Sequence, residues 1–223
     1  MRSATLPLRL PLLVLAAGFI LLGGGLTRAA DEGFVDLFNG KDFTGWKFVL
    51  SGKEAEPGKT FTVKDGVVVV TGSPNGYMVT DKKYKNYVVK YDWMYARPKN
   101  LEDEEKFGGN SGCLVHIQAL PEKGTWPKCV EVQGMNRDHG KLITIGTKVT
   151  GAKFDQEALK KARKKVGEWN TTEIECKPDG TITAKVNGTE VSSGKGDVTE
   201  GQIGWQSEGA EIHFKNLKIK ELK

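Results

Sequence analysis

Cysteine and histidine are scarce in this chain, which has three of each among its 223 residues. No CxxC pair and no Cys/His cluster has the spacing of a zinc site, which argues against a metal held by these thiols. An odd number of cysteines cannot all pair with one another. Cys113 lies in the apolar phase of one predicted strand, and Cys129 lies in the polar phase of another. We therefore expect no bridge between them, and three small buried thiols that include Cys176.

Long apolar runs are also lacking, except for one at the N-terminus. Residues 10–22 are almost wholly apolar, two arginines precede them, and Thr27-Arg28-Ala29 offers the small residues that a signal peptidase reads. This predicts a signal peptide over residues 1–29, with cleavage after Ala29 or Ala30. The run is short for a membrane span, so an uncleaved anchor is the less favoured alternative. Residues 30–223 are then expected to be periplasmic or extracellular, without stable membrane insertion.

The chain has little excess charge once the predicted signal peptide is set aside. Removing residues 1–29 takes away three arginines and no acid, so the formal net charge falls from +5 to +2. A chain near neutrality, without an arginine-rich aromatic surface, is not expected to bind nucleic acid. Residues 30–223 are long enough for one substantial hydrophobic core, which favours a single domain. The sequence does not define an oligomeric state.

Short alternating segments and tight turns dominate the remainder. Residues 61–63 and 67–70 are joined by Lys64-Asp65-Gly66, a typical hairpin turn. Positions 87, 89, 91, 93 and 95 are all aromatic or valine, which predicts a strand with one buried face. Only one segment has helical spacing, beginning after Asp155. The pattern predicts an all-β sandwich with one short helix, and a bulge near Asn216 where the apolar phase of the last strand changes.

Two neighbouring predicted strands carry polar groups on what would otherwise be a plain face. In residues 129–133, Glu131 and Gln133 lie opposite two valines. In residues 113–118, alternation places His116 and Gln118 opposite Cys113, Val115 and Ile117. If these strands pair, a carboxylate, an imidazole and two carboxamides share one face of a rigid sheet, which makes a plausible polar site. The simpler alternative is that Glu131 pairs with a surface lysine and that His116 faces solvent.

Other polar side chains are candidates for the same site. Asp92 lies opposite Tyr91 and Trp93 in its strand and is expected to reach this face. Asp138 and His139 follow the second strand directly and are expected to cap the cleft. By contrast, the pattern places His213 at the surface, and it favours packing roles over sugar stacking for three tryptophans, namely Trp46, Trp169 and Trp205.

The order of several short motifs resembles the 3-keto-disaccharide hydrolase domain family, also described as a 3-keto-glucoside 1,2-lyase and 3-keto-2-hydroxy-glucal hydratase domain. The resemblance covers about Gly33 to Leu222. It implies a concanavalin A-like jelly-roll sandwich that acts on glycosides oxidised at C3 of a sugar ring. Seven motifs occur in the order of the family: Phe34 to Trp46, Asn110-Ser111-Gly112, Glu131-Val132-Gln133, Gly167-Glu168-Trp169-Asn170, Val186-Asn187-Gly188, Gly204-Trp205-Gln206 and Phe214-Lys215-Asn216.

The chain departs from this family at three positions. His116 stands where the family often has arginine, Glu208 precedes Gly209 where the family often has histidine, and Lys215 stands where the family often has arginine. Such exchanges imply a different substrate or a loss of activity. A non-catalytic, lectin-like carbohydrate-binding module is therefore the main alternative to an enzyme. A structural or adhesion domain is a third.

The implied chemistry is an elimination followed by hydration. A ketone at C3 makes the C2 proton acidic, so the reaction needs a base, a donor for the enolate oxygen and an acid for the leaving group, rather than the paired carboxylates of an ordinary glycosidase. Glu131 is the expected base and His116 the expected acid or enolate donor. No cofactor is indicated with certainty, and a divalent cation is the alternative enolate donor. The expected substrate-binding residues are Gln133, Gln206, Asp92, Asp138, His139 and Glu208.

Overall fold

A computed structural model describes Met1 and residues 32–223 of the chain. The predicted signal peptide and its cleavage site lie outside the described residues. The compact unit considered below is Gly33–Lys223. Within the described residues, no helix combines the length and the hydropathy that crossing a bilayer requires.

The regular secondary structure of the unit is almost entirely strand, as predicted. The helix expected after Asp155 is present, and Asp155 caps it by accepting a hydrogen bond from the Ala158 N–H. A second helix of one turn was not predicted, because four residues are too few to show helical spacing. The strands are β1 (Val35–Asp36), β2 (Trp46–Leu50), β3 (Phe61–Lys64), β4 (Val67–Val70), β5 (Gly76–Thr80), β6 (Tyr87–Tyr95), β7 (Gly112–Ile117), β8 (Cys129–Gln133), β9 (Leu142–Ile145), β10 (Val149–Phe154), β11 (Asn170–Cys176), β12 (Thr181–Val186), β13 (Thr189–Gly196), β14 (Gln202–Ser207) and β15 (Ile212–Glu221); the helices are α1 (Pro57–Thr60) and α2 (Gln156–Ala162).

The strands form two antiparallel sheets. The nine-stranded sheet has the order β10-β13-β12-β11-β6-β15-β4-β3, with β1 paired to β15, and the six-stranded sheet has the order β2-β5-β14-β7-β8-β9. Alternate residues of β6 are fully buried, as their sequence pattern predicted. Tyr91 of β6 meets Trp205 of β14 edge to face, with ring centroids 5.5 Å apart. This contact joins the inner faces of the two sheets in one core, so the β-sandwich prediction is confirmed.

Local turn chemistry follows the sequence closely. The β3–β4 hairpin turns on Asp65 and Gly66, which have φ values of 51° and 78°. Such positive values are those of the favoured two-residue hairpin turn. The pairing of β15 with β6 shifts between Lys215 and Lys218, and Asn216 has a φ of 51°. The predicted bulge near Asn216 is therefore confirmed.

A second apolar cluster lies on the outer face of the six-stranded sheet. It contains the fully buried Tyr77, Val79, Leu114, Ile117 and Cys129, with Val49, Ile145 and Trp126 packed against them. The rings of Trp126 and Tyr77 are nearly parallel, with centroids 6.3 Å apart. One part of this outer face is therefore closed by the segment that precedes β8.

The cysteines follow their predicted phases. Cys113 and Cys176 lie in the core between the sheets, and Cys129 lies in the outer cluster. All three are free and buried. Opposite strand phases thus keep Cys113 and Cys129 on opposite faces of the six-stranded sheet, as expected.

Candidate functional site

Glu131 stands on the outer face of the six-stranded sheet, next to the apolar cluster. In the register of the sheet it lies between Leu114 of β7 and Ile143 of β9. Its side-chain neighbours bury it, so that only 6% of the residue is exposed. A carboxylate placed this deeply is not a surface group paired with a lysine, which was the simpler reading of the sequence.

Gly112 brings Glu131 and Gln206 together. The pairing of Trp205 with Cys113 sets Gln206 of β14 beside Gly112 of β7. A Cβ atom on Gly112 would lie 2.4 Å from Gln206 Oε1 and 2.7 Å from Glu131 Oε1. Both oxygens therefore rest directly above the glycine Cα. Only a residue without a side chain leaves room for this arrangement.

Glu208 and Asn110 extend the same polar group along the sheet, since Glu208 lies two residues after Gln206 and Asn110 lies two residues before Gly112. Asn110 makes isolated bridges to Glu208 and Gly209. Because side chains alternate along extended chain, Asn110 shares a face with Gly112, and Glu208 shares a face with Gln206. The site thus comprises two carboxylates and two carboxamides around Gly112. We refer to Glu131, Gln206, Glu208, Asn110 and Gly112 as the acidic site.

Burial and like charge together make Glu131 unusually basic. Burial raises the pKa of Glu131 to about 7, the negative charge of Glu208 adds to the rise, and a hydrogen bond from Gln206 opposes it. Burial also raises the pKa of Glu208. A carboxyl whose pKa lies near neutrality can both take up and release a proton at ordinary pH, which suits a general base.

His116 does not share the face of Glu131, so that prediction is wrong. β14 pairs Gln202 with Ile117 but Gly204 with Leu114, which leaves one extra residue in β7. His116 takes a φ of 57° at this bulge. Its fully buried ring points into the core and meets Tyr87 edge to face, with centroids 5.8 Å apart. Ile117, predicted to face inward, joins the outer cluster instead.

The environment of His116 also disfavours an acid role. Burial lowers its pKa to about 4, and the nearby Val198 backbone only partly opposes this shift. No well-formed hydrogen bond reaches either ring nitrogen in the described part of the chain. Gln118 stabilises the bulge by donating to the His116 carbonyl at 2.8 Å and to the Glu200 carbonyl at 2.8 Å. His116 and Gln118 are therefore parts of the strand distortion rather than of the acidic site.

Asp92 lies on the other sheet, so the prediction that it reaches the same face is also wrong. Its carboxylate accepts hydrogen bonds from Thr171 Oγ1 at 2.6 Å and Asn216 Nδ2 at 2.7 Å, on the outer side of the nine-stranded sheet. Strand phase tells which side of its own sheet a residue occupies, but not which of two sheets contains it. Lys215 pairs with Asp92 in this sheet, and its ammonium lies 4.0 Å from the Trp169 ring centroid.

His139 is buried in the core and does not cap a cleft, contrary to expectation. Its ring stacks on Trp93 with centroids 4.0 Å apart. Nδ1 lies 3.3 Å from the Gly134 carbonyl oxygen, and Nε2 lies 2.8 Å from Thr172 Oγ1. Burial lowers its pKa to about 3. His139 therefore supports the turn that follows β8, and the Tyr95 hydroxyl does the same by donating to the Gly134 carbonyl at 2.9 Å.

The remaining predicted residues lie in or near that turn. Gln133 is on the outer face beside Gly112, and its Oε1 accepts a hydrogen bond from the Met135 N–H at 2.8 Å. Asp138 is half-buried in the 3₁₀ turn Asn136–Asp138, with its carboxylate 3.8 Å from Arg137 Nε. Gln133 therefore holds the chain that leaves β8, beside the acidic site, whereas Asp138 makes an ion pair within the turn.

Replacing His139 with phenylalanine is expected to change how stability depends on pH. Phenylalanine keeps the stacking on Trp93 but loses both hydrogen bonds, which should cost about 1–3 kcal/mol at pH 7. The unfolded wild type takes up a proton at this histidine below pH 6.5, whereas the folded protein does not until about pH 3. The wild type therefore loses about 2–3 kcal/mol from this group between pH 7 and 4.5, and the difference between the proteins should close. Urea unfolding at pH 7 and at pH 4.5 measures the free energy of unfolding of both proteins. A difference between them that stays the same at the two pH values would contradict the burial of a neutral His139.

Sequence reasoning did not identify Asn110 and Gly112 as site residues. Both belong to the Asn110-Ser111-Gly112 motif, which was the available signal. Across residues 32–223, no group of three or more His, Cys, Asp and Glu side chains is arranged to hold a metal ion.

Solved structures with the same fold define the class of this protein. A candidate glycosyl hydrolase from Parabacteroides distasonis ATCC 8503 is 26% identical, with a TM-score of 0.60, over 87% of this chain and 96% of that chain. The carbohydrate binding module CBM66 from Bacillus subtilis is 11% identical, with a TM-score of 0.53, over 81% and 98% of the two chains. Bacillus licheniformis beta-glucanase is 13% identical, with a TM-score of 0.52, over 85% and 97%. The last two show the fold alone, and the chain is a jelly-roll β-sandwich of carbohydrate-related function.

The family is defined by the sequence itself. Residues 33–220 match the model of the 3-keto-alpha-glucoside-1,2-lyase-like domain, and the chain belongs to this family. The resemblance inferred from the seven motifs is thereby confirmed. A comparison with curated proteins gives no match.

Proposed function

We propose that this protein cleaves 3-keto-glycosides by elimination and hydration, and that Glu131 removes the C2 proton. The observation that carries the proposal is the buried Glu131 carboxylate, which rests on Gly112 beside Gln206 and has a pKa of about 7. An exposed carboxylate of ordinary pKa would be a far weaker base toward a carbon acid. Membership of the family supports the choice of substrate class.

The proposed reaction has two stages. Glu131 takes the proton from C2, and the electron pair of that bond passes into an enolate with the C3 oxygen. The bond between C1 and the glycosidic oxygen then breaks, and the leaving alcohol receives a proton. Water later adds across the C1–C2 double bond, with its hydroxyl on C1 and a proton on C2, so that the net change is hydrolysis.

Glu208 replaces His116 as the proposed acid for the leaving group. It lies on the face of Glu131, whereas His116 points into the core. Burial raises the pKa of Glu208, which increases the fraction that carries a proton near neutral pH. Gln206 and Gln133 remain the proposed contacts to sugar hydroxyls, since both lie beside Gly112.

Purified residues 30–223 are expected to release 3-keto-glucose from a 3-keto-disaccharide, with a transient 3-keto-2-hydroxy-glucal. In D₂O, deuterium should appear at C2 of the product. The unoxidised parent disaccharide is the matched control, and it should not be cleaved because its C2 proton is not acidic. NMR followed over time measures the release of 3-keto-glucose, the transient glucal and the deuterium at C2.

Two results would contradict the proposal. Saturable binding without turnover would indicate a lectin-like module. The absence of both binding and turnover would favour a structural or adhesion domain.

A further inference from the structure

Two side-chain oxygens of the acidic site are buried without a hydrogen-bond partner. Within the described residues, neither Gln206 Oε1 nor Asn110 Oδ1 accepts a hydrogen bond. Gln206 is 1% exposed, so its amide cannot turn to bulk water. A buried acceptor left unsatisfied costs about 1–3 kcal/mol. Most such groups in folded proteins are satisfied, so these two need an explanation.

The position of the two oxygens suggests why they lack partners. Gln206 hydrogen-bonds to Glu131, which requires its amide N–H₂ to face the carboxylate and leaves Oε1 over Gly112. Asn110 lies two residues before Gly112, and two residues of extended chain cover about 7 Å. The two unpartnered acceptors therefore lie on the same face as Glu131, at a spacing that one sugar ring can cover.

A ligand that satisfies both oxygens must bring hydrogen-bond donors. Glu131 is an acceptor too when ionised, and the proton on Glu208 goes to the leaving group in the proposed reaction, so few donors of the acidic site remain for these two oxygens. Sugar hydroxyls are donors that lie on the same ring as the carbon to be deprotonated.

We infer that Asn110 Oδ1 and Gln206 Oε1 accept hydrogen bonds from two hydroxyls of the sugar that Glu131 deprotonates. Asn110, to which no role was assigned from the sequence, is then a substrate-binding residue that selects for an intact hydroxyl. This inference rests on the proposed function, because it takes the sugar ring at Glu131 as the ligand. The two hydrogen bonds can nevertheless be tested by binding alone, without turnover.

The test is a cycle between protein and ligand variants. It uses residues 30–223 with Glu131→Gln, so that the ligand is not consumed, with and without Asn110→Ala. The ligands are a 3-keto-glucoside and its 2-deoxy, 4-deoxy and 6-deoxy analogues, and calorimetry gives each Kd. Asn110→Ala should weaken binding of the full ligand by about 10-fold. For the one analogue that lacks the hydroxyl bound by Asn110, it should change nothing.

Controls separate binding from folding. Because Asn110 Oδ1 is a buried acceptor without a partner in the described chain, Asn110→Ala should not lower the Tm. Asn110→Asp keeps an acceptor oxygen and should bind the full ligand nearly as well. Asn86→Ala removes an amide that donates to the Leu222 carbonyl, remote from the acidic site, and should not affect Kd.

Several outcomes would overturn the inference. They are an equal loss of affinity for all four ligands, no loss for any of them, no measurable binding, or binding that disappears when EDTA is added. The last would mean that the two oxygens serve a cation. If the wild type fails to cleave 3-keto-disaccharides but the Kd pattern appears as expected, the proposed reaction fails and the binding role of Asn110 stands.

Discussion

Replacing Glu131 with glutamine is expected to lower kcat on 3-keto-glycosides by a factor on the order of 10²–10⁴. Glutamine keeps the shape of the side chain above Gly112 but is not basic, so it cannot take the C2 proton. Exchange of the C2 proton with D₂O should stop together with turnover. A substrate deuterated at C2 should react more slowly with the wild type if proton removal limits the rate. Steady-state kinetics and NMR measure these effects.

The same substitution is expected to stabilise the fold above neutral pH. The Glu131 carboxyl has a pKa of about 7 when folded and an ordinary value of 4.5 when unfolded. As the pH rises from 4.5 to 7, the unfolded chain gives up this proton first, so the wild type loses stability. Glutamine has no such dependence. The variant should therefore gain about 2–3 kcal/mol relative to the wild type between pH 5 and 8, as measured by urea unfolding.

Glu175→Gln is the matched control for the loss of activity. Glu175 is a half-exposed carboxylate of the nine-stranded sheet, 3.5 Å from Lys177 Nζ. Its substitution should change neither kcat nor the exchange of the C2 proton. Full activity of the Glu131→Gln protein would eliminate Glu131 as the base.

Replacing Gly112 with alanine is expected to lower kcat by about 10²-fold while the protein still folds. The new methyl group would lie 2.4 Å from Gln206 Oε1 and 2.7 Å from Glu131 Oε1, so both side chains must move. The atoms displaced are the ends of flexible side chains, which limits the damage to the sheet. Glu131 should move outward to water, where its pKa falls. The rise of the rate with pH, centred near 7 in the wild type, should then shift to lower pH.

Gly108→Ala is the control for this substitution. Gly108 lies four residues earlier, and a Cβ there would meet nothing within 4 Å. Its kinetics and pH profile should match the wild type. If Gly112→Ala also behaves like the wild type, the placement of Glu131 above the glycine has no part in the reaction.

The sequence predicted those features that depend on local alternation. The β6 face, the Asp65-Gly66 turn and the change of phase at Asn216 are all present, because side-chain period and turn chemistry act over a few residues. Glu131 was placed correctly on the face opposite its flanking valines for the same reason.

The wrong predictions concern the placement of three side chains, which the alternation of residue types along a strand does not determine. His116 was misplaced by one extra residue in β7, which shifts the phase without changing the pattern of residue types. Asp92 was assigned to the correct side of its strand but belongs to the other sheet. His139 follows β8 directly, yet the turn returns it to the core against Trp93. Sheet membership and the path of a turn depend on contacts between distant residues.

The extra residue in β7 affects how this chain can change during evolution. Any substitution at position 116 alters a side chain that points into the core, so point mutations there cannot place a new ionisable group beside Glu131. Deletion of a single residue at the bulge would instead move the side chains of the following residues to the opposite face of the sheet. A related protein in which this part of β7 places an ionisable side chain beside Glu131 would therefore be expected to differ in the number of residues, and not only in residue type, between Leu114 and Gln118.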